Sequence, residues 1–130
     1  MNIFGVGTDI VSMKRIQKIL KKYNSNFKRK IFSHNEITYC ESKKNSLASY
    51  AKRFAAKEAF TKALGTGFGN RISLKDIEVI NNKSGKPNIK LTGYVAQHLK
   101  KKIKNKKFNV HLSLSEDKPW ACATVIISHN

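Results

Sequence analysis

Apolar residues recur every three or four positions in the middle of the chain, which predicts one long helix. Within residues 53–67, one half of the cylinder is apolar and carries Ala55, Ala56, Ala59, Phe60 and Ala63. The other half is predicted to be a polar stripe of Arg53, Lys57 and Thr61, with Glu58 and Lys62 at its edge. Small alanines allow close approach of another element, and glycines at 65 and 67 end the helix.

Strict alternation over residues 2–11 predicts a strand. One face is bulky (Phe4, Val6, Thr8 and Ile10), and the other carries Ile3, Gly5, Gly7, Asp9 and Val11. Glycine weakens a strand, so two glycines that lead to a carboxylate indicate a place where something comes close. Asp9 could also be a simple capping or turn residue, although Ser12 is better placed to cap the helix that follows.

The rest of the pattern alternates short helices and strands. Helices are predicted over residues 12–23, 34–42 (behind a capping box at 33–36) and 93–104, with a polar connection at 24–30 and Ser46 or Ser49 capping the central helix. Strands are predicted over 72–74, 77–81, 87–91, 109–115 and 120–128. The expected class is therefore α+β: one domain, residues 1–130, with a mostly antiparallel sheet packed against one long helix plus shorter helices.

The net charge says more about possible binding partners than the rest of the composition does. A formal net charge of +18 attracts nucleic acid, anionic membranes, phosphorylated cofactors or acidic proteins. Lysine greatly outnumbers arginine, so codon bias of an A/T-rich genome explains part of the excess. Cys40 and Cys122 suggest neither a disulfide framework nor a metal pair. Without a signal-peptide pattern or an apolar run of membrane-spanning length, we expect a cytoplasmic protein with no membrane partner.

Two motifs resemble a known family. Residues 5–11 (GVGTDIV), followed by Arg15-Ile16, resemble the opening of the holo-[acyl-carrier-protein] synthases, the small 4'-phosphopantetheinyl transferases of bacterial fatty-acid synthesis. Residues 53–67 resemble the second signature of that family, and residues 85–87 (GKP), 111–115 and 121–126 also fit, in order along the whole chain. The resemblance implies transfer of phosphopantetheine from coenzyme A to a serine hydroxyl of acyl carrier protein, with release of adenosine 3',5'-bisphosphate.

The resemblance also implies Mg²⁺, with Mn²⁺ as the other candidate, held by Asp9 and Glu58. Displacement at phosphorus is catalysed mainly by positioning and charge neutralisation, and Mg²⁺ accepts carboxylate and phosphate oxygens together. The glycine face of the first strand is expected to leave room for the ion and the diphosphate. The alternative is a metal-free pairing of Asp9 or Glu58 with Lys62.

Lys62, one turn beyond Glu58, is predicted to neutralise phosphate or to stabilise the leaving group, or else to form a plain surface pair. The proton of the serine passes either to a water on the metal or to Glu58 acting through one. The predicted catalytic residues are therefore Asp9, Glu58 and Lys62.

The resemblance places further residues near coenzyme A: Arg53, Lys62, Gly65, Thr66, Gly67, Gly85, Lys86, Pro87 and His111. Arg53 suits a two-pronged phosphate contact, or a carboxylate elsewhere in the fold. The glycines at 65 and 67 follow a helix C-terminus, where the dipole disfavours anions, so we expect pantetheine or close packing there. His111 is either a hydrogen-bonded structural residue or a nucleotide contact.

The basic face of the helix after Asp9 is expected to dock the acidic acyl carrier protein, because opposite charges speed association. Arg15 matches a carrier contact of the family, and the patch continues with Lys14, Lys18, Lys21 and Lys22. Family members are trimers with sites at subunit interfaces, so the resemblance implies a homotrimer.

Two other functions compete with this interpretation. A non-enzymatic basic module that binds nucleic acid fits the charge, but the sequence shows no stacking strand, zinc spacing or recognition helix. It also leaves Asp9 and Glu58 unexplained, so no nucleic-acid partner is expected. A broad-specificity transferase for non-ribosomal synthetases would resemble a tandem duplication about twice this length.

Overall fold

The computed structural model describes residues 1–65 and 72–130. Its elements, in chain order, are β1 (Asn2–Ser12), α1 (Met13–Ile31), α2 (His34–Glu41), α3 (Ser46–Leu64), a 3₁₀ turn (Leu74–Asp76), β2 (Ile77–Asn81), β3 (Pro87–Leu91), α4 (Gly93–Lys102), β4 (Phe108–Asp117) and β5 (Trp120–His129). Strands β1, β5 and β4 form an antiparallel sheet in that order, and β2 and β3 form a separate antiparallel hairpin. The α+β class, with antiparallel sheets around one long helix, is confirmed.

Most of helix α3 is buried, on both its apolar and its polar half. Its polar residues Arg53, Lys57 and Thr61 are only 3 %, 0 % and 1 % exposed. The predicted polar stripe is therefore wrong as a surface feature, because the β2–β3 hairpin and α2 cover that side of the helix while the sheet covers the alanines. Such a helix shows weak amphipathicity, so a two-sided reading of its sequence fails.

Two glycines allow β1 to lie directly on α3. A Cβ atom on Gly5 would overlap the carbonyl oxygen of Ala63, and one on Gly7 would overlap that of Ala59. The expectation that these glycines leave room for a metal and a diphosphate is wrong, since helix backbone fills the space. Their effect on the site is indirect: they bring Asp9, two residues beyond Gly7, against the C-terminal half of α3.

A bulge near the start of β1 changes which residues face outward. Ile3 pairs with Ser128 and Gly5 pairs with Ile127, so Phe4 is the extra residue. Ile3 therefore joins Val6 and Ile10 on the outer face of the sheet rather than the glycine face. These three apolar side chains are 54 %, 60 % and 64 % exposed, which gives the sheet an open, partly apolar face.

Helix α1 runs past its predicted end. The residues expected to form a polar connection are helical, with a break in helical geometry at Asn24 (φ 37°, ψ −112°). The helix continues because Phe27 packs into the core: its ring centroid lies 6.0 Å from that of Phe32 and 6.1 Å from that of Phe54. Aromatic packing therefore outweighs the polar composition of this segment.

Two smaller predictions also differ from the structure. The predicted strand at 72–74 is absent, because a 3₁₀ turn begins at Leu74. The Leu74 carbonyl accepts a hydrogen bond from buried Lys57. Helix α3 is capped by Asn45, whose Oδ1 accepts from the N–H of Ala48 at 3.1 Å, and not by Ser46 or Ser49. Among the described residues, no helix is long and apolar enough to cross a membrane.

Candidate active site

Asp9, Glu58 and Lys62 meet where β1 passes the C-terminal half of α3. Lys62 Nζ donates to Asp9 Oδ1 at 3.1 Å and to the Thr8 carbonyl at 3.0 Å. The Glu58 carboxyl group lies close enough to Asp9 for the charge of Asp9 to raise its pKa. Residues 58 and 62 are one turn apart on α3, so a single strand–helix contact brings two acids and one cation together. Asp9 and Glu58 are called the acidic pair below.

The two carboxyl groups of the acidic pair repel each other. Burial, and after it the charge of Asp9, raises the pKa of Glu58, while Arg15 and Lys62 act in the opposite direction. The Asp9 side chain is 10 % exposed, whereas that of Lys62 is 55 % exposed and reaches in from solvent. Two carboxylates held this way favour a further cation between them, because it would relieve their repulsion.

The donor set of the acidic pair fits magnesium. Both residues offer hard oxygen ligands, and Mg²⁺ in proteins commonly takes one or two carboxylates together with substrate phosphates and waters. Across residues 1–65 and 72–130, no three His, Cys, Asp or Glu side chains gather in a way that could hold an ion. A metal at the acidic pair would thus rely on substrate oxygens for the rest of its coordination.

A second group of predicted residues lines a cleft of about 460 Å³ beside strand β4. This β4 cleft contains Arg53, Gly85, Lys86 and Pro87, together with Tyr39, Ser49, Lys52, Asn81, Leu112, Ser113 and Leu114. Asn81 ties the group together: its Nδ2 donates to the Gly85 carbonyl at 2.9 Å, and its Oδ1 accepts from Arg53 Nη2.

Arg53 is buried in the wall of the β4 cleft with part of its hydrogen-bonding capacity unused. Its guanidinium carbon lies 3.9 Å from the ring centroid of Tyr39, in cation–π geometry. Its Nε has no hydrogen-bond partner. Leaving a buried donor unpaired costs about 1–3 kcal/mol, so this arrangement favours an anionic ligand. A carboxylate partner, the alternative weighed from the sequence, is replaced by Asn81.

The acidic pair and the β4 cleft lie at opposite edges of the sheet. Asp9 is on β1 and the cleft follows β4, with β5 between them. Two strand spacings amount to about 9–10 Å. No residue that lines the cleft belongs to the acidic pair or to Lys62. Within one copy of the chain, the predicted site residues therefore form two separate groups.

His111 belongs to neither group. It lies on the outer face of the sheet, in register with Ile126 and Val6, and its Nε2 is 3.0 Å from Ser128 Oγ. The hydrogen bond agrees with the structural alternative within one chain. The open face also leaves the ring accessible to a neighbouring molecule.

Gly65 ends α3 in the left-handed conformation (φ 87°), and its N–H donates to carbonyls of the last helical turn. It carries the expected role of a helix C-cap. Thr66 and Gly67, which were predicted to contact coenzyme A, lie outside the described residues.

The basic face of α1 borders the acidic pair. Its exposed residues are Lys14, Arg15, Lys18, Lys21 and Lys22. The helix begins at Met13, directly after β1, with Ser12 as its N-cap. The charge of Arg15 reaches Glu58 and lowers its pKa, so this residue belongs to the surroundings of the acidic pair as well as to the basic face.

Sequence reasoning missed two residues that shape the site. Asn81 appeared only as the last residue of a strand, and no periodicity marks a residue that orients an arginine. Glu36 was identified only as the third helical residue of a capping box, yet it is buried and paired with Lys57. A lysine within an otherwise alanine-rich helix was the available signal, because such a residue needs a partner when it is buried.

The chain is similar in sequence to known proteins over almost its whole length. Residues 5–125 match the family model described as the 4'-phosphopantetheinyl transferase superfamily. A holo-[acyl-carrier-protein] synthase of Pelagibacter ubique is 46 % identical over 127 residues, which cover 98 % of each chain. One from Bartonella bacilliformis is 44 % identical over 126 residues, covering 96 % of this chain and 95 % of the relative.

Solved structures of related proteins also superpose on this chain. The crystal structure of holo-[acyl-carrier-protein] synthase from Neisseria meningitidis superposes with a TM-score of 0.87 at 34 % identity, covering 98 % of this chain and 99 % of the other. That from Helicobacter pylori, in complex with coenzyme A, gives 0.80 at 33 % identity, with 95 % and 99 % covered. The chain therefore belongs to the 4'-phosphopantetheinyl transferase superfamily. Within it, the chain groups with the holo-[acyl-carrier-protein] synthases, and it is an enzyme of the transferase class.

Proposed function

We propose that this enzyme transfers the 4'-phosphopantetheine group of coenzyme A to a serine hydroxyl of apo acyl carrier protein. The reaction is a Mg²⁺-dependent displacement at phosphorus that releases adenosine 3',5'-bisphosphate. The meeting of Asp9, Glu58 and Lys62 at the β1–α3 contact carries the proposal. The names of the relatives and the coenzyme A complex of the Helicobacter pylori protein support the two substrates.

The residues act by positioning and by neutralising charge, because displacement at phosphorus needs little covalent help from a protein. Asp9 and Glu58 would hold Mg²⁺, which when bound would neutralise and orient the diphosphate. Lys62, whose ammonium is half exposed beside Asp9, donates to phosphate oxygens as negative charge develops on the leaving group. Glu58, or a water beside it, accepts the serine proton.

The β4 cleft suits the nucleotide end of coenzyme A. Arg53 offers a planar fork with an unpaired Nε, and Lys86 adds a second cation on the 85–87 turn. We assign this pair of cations to the 3'-phosphate. We assign Gly65 to the uncharged pantetheine arm, which suits a helix C-terminus better than a phosphate would.

The carrier protein docks on the basic face of α1. Acyl carrier proteins are acidic, and one of the five exposed cations of this face, Arg15, acts on Glu58 of the acidic pair, where the serine must arrive. Charge complementarity across this contact would steer association and would weaken with salt.

We also propose that the enzyme is a homotrimer, as the family resemblance implies, with each site shared by two subunits. One chain holds the acidic pair and the β4 cleft at opposite edges of its sheet. An open face with exposed Ile3, Val6 and Ile10 lies between those edges. Packing that face against another copy would cover the apolar side chains and bring His111 towards a neighbour's site.

The transfer is tested by weighing the product. Purified enzyme is incubated with apo carrier protein, coenzyme A and Mg²⁺, and the carrier is examined by intact mass spectrometry. We expect the carrier to gain one phosphopantetheine, and removal of the metal with a chelator to stop the reaction. A carrier of unchanged mass, or labelling that is unaffected by chelator, would contradict the proposal.

Shared sites are tested by mixing two inactive variants. Glu58→Gln removes the acidic half and Arg53→Ala removes the cleft half, so each homo-oligomer is impaired. Re-assembled mixtures should regain a fraction of the activity, because some sites combine two intact halves. No recovery in mixed oligomers, or a monomer by light scattering at assay concentration, would exclude sites built from two subunits.

A further inference from the structure

Lys57 and Glu36 form a fully buried ion pair away from the acidic pair. Lys57 Nζ donates to Glu36 Oε1 at 2.7 Å, to the Leu74 carbonyl at 2.9 Å and to the Ile77 carbonyl at 2.6 Å. Glu36 Oε1 also accepts from the N–H of Ser33 at 2.9 Å. Both side chains are 0 % exposed, so no solvent screens the pair.

The pair completes the free edge of strand β2. One edge of β2 pairs with β3, and the other faces α2 and α3. Alternate residues of a strand direct their backbone groups to the same edge. On that edge, Lys57 donates a hydrogen bond to the carbonyl of Ile77, and Glu36 Oε2 accepts one from the N–H of Val79 at 3.0 Å. Two side chains thus supply the hydrogen bonds that a third strand would otherwise make.

These bonds fix how far along β2 the helix α3 lies. Arg53 is one turn, about 6 Å, before Lys57 on the helix. Asn81, which accepts from Arg53, is four residues, about 13 Å, beyond Ile77, which accepts from Lys57, and the long side chains of Lys57 and Arg53 span the difference. The contact of Lys57 with Ile77 and the contact of Arg53 with Asn81 therefore form together in one register of α3 against β2.

Stability alone is a weak reason to bury such a pair. Burial lowers the pKa of Lys57 and outweighs the opposing effect of Glu36, which shows how costly the charge is here. Replacing a buried ion pair by apolar side chains of similar size is often neutral or stabilising. Geometric specificity is then the property that apolar packing would not reproduce.

We propose that Lys57 and Glu36 are positioning residues for the nucleotide half of the site: they set the register of α3 against β2 and thereby hold Arg53 at the β4 cleft. The inference deepens the proposed function, on which it rests for the identity of the ligand in the cleft. Neither residue touches that ligand.

The test separates the two halves of the site by kinetics. Lys57→Met/Glu36→Gln removes both charges together, which avoids leaving one buried charge unpaired. We expect the KM for coenzyme A to rise about tenfold to a hundredfold, the scale of a misplaced binding group. The kcat at saturating coenzyme A and the KM for the carrier should change by less than about threefold, since the acidic pair and the basic face of α1 keep their contacts.

Tyr50→Phe is the matched control. Tyr50 is also buried on α3, and its hydroxyl donates to Glu41 on α2 without touching β2. Losing this bond should lower the melting temperature and leave the KM for coenzyme A unchanged. If the double variant also loses only thermal stability, the pair is purely structural and the proposal is overturned.

Asn81→Ala breaks the last link and leaves the core intact. It should raise the KM for coenzyme A and be non-additive with Lys57→Met/Glu36→Gln, because both act through the position of Arg53. Full additivity would overturn the proposal. If the double variant does not fold, Asn81→Ala alone decides: an unchanged KM for coenzyme A then overturns it.

A measurement without turnover keeps this inference distinct from the proposed function. The ¹⁵N signal of Arg53 Nε should shift in the double variant and in Asn81→Ala, and stay in place in Tyr50→Phe. A wild-type enzyme that fails to label the carrier contradicts the proposed function, whereas an unmoved Arg53 signal contradicts the register.

Discussion

The acidic pair and the β4 cleft present opposite electrostatic deficits at the two edges of one sheet. At the β1 edge, Asp9 and Glu58 bring two carboxylates together, and burial, with the charge of Asp9 as a smaller cause, raises the pKa of Glu58. At the β4 edge, Arg53 is buried with an unpaired Nε and only a neutral hydrogen-bond partner, Asn81. One edge favours a further cation, and the other favours an anion.

A nucleotide diphosphate with its divalent ion would supply both the cation for the acidic pair and the anion for Arg53. The ion would neutralise the acidic pair, and the phosphate at the nucleotide end would meet Arg53 and Lys86. The comparison also shows how differently the halves are built. The acidic pair depends on one close strand–helix contact, whereas Arg53 is held through a hairpin, an asparagine and a buried ion pair. Variants can therefore damage one half and spare the other.

The largest effect is expected at the acidic pair. Glu58→Gln keeps the side-chain volume and removes one metal ligand, so kcat should fall about a thousandfold. The melting temperature of the metal-free protein should stay level or rise, because a half-buried carboxylate that Asp9 repels is gone. The rate of carrier labelling and a thermal melt check the two parts. Activity within tenfold of wild type would remove Glu58 from the site.

A smaller effect is expected at the cleft. Arg53→Lys keeps the charge and loses the planar fork, so the KM for coenzyme A should rise about tenfold while kcat changes less. Lys43→Gln is the matched control, since Lys43 also lies over the ring of Tyr39 (4.7 Å) without lining the cleft. Equal changes in both variants would show that Tyr39, and not the fork, is what the substitution disturbs.

Substitutions on the basic face of α1 should change the KM for the carrier and leave the KM for coenzyme A unchanged. Reversing the charge of Lys14 and Lys18 is expected to raise the KM for the carrier several-fold at low salt, with the difference shrinking as salt screens it. Arg15 is left intact because its charge also acts on Glu58. Reversal of Lys100 and Lys101 on α4 is the control. A parallel rise in the KM for coenzyme A would contradict separate docking of the carrier.

The smallest effect is on the pH dependence of stability. The pKa of Glu58 is raised in the fold, so metal-free wild type loses stability as pH increases through the raised pKa. Glu58→Gln lacks this loss. Melting temperatures of the two proteins should converge in acid and differ by a few degrees at neutral pH, with the variant higher. Curves that diverge in acid would show that the pKa is not raised.

Local pattern was enough to predict part of the acidic half. The alternation of β1 and the one-turn spacing of residues 58 and 62 are short-range signals, and they placed Asp9 on a strand and Glu58 beside Lys62 on a helix. The meeting of that strand with that helix was implied by the family resemblance, and the structure brings the three residues together. The role of the glycines was misjudged, because a sequence shows that a side chain is missing but not which backbone fills the space. At Gly7 that backbone is α3.

The cleft half could not be predicted in the same way. Arg53 and Lys57 look like surface residues by helical period, and only the hairpin that folds over them from 20 or more residues away makes them buried. Glu36 is likewise buried by residues that are distant from it in the sequence. A register set by side chains on three elements leaves no periodic trace in any one of them.

Binding of a divalent ion at the acidic pair is the central claim, and Mn²⁺ reports it most directly. Electron paramagnetic resonance of Mn²⁺ titrated with the protein, with coenzyme A present, measures bound ion without turnover. We predict saturable binding of one Mn²⁺ per site in wild type and in Lys43→Gln, and its loss in both Asp9→Asn and Glu58→Gln. Binding as tight as wild type in either carboxylate variant would contradict the account.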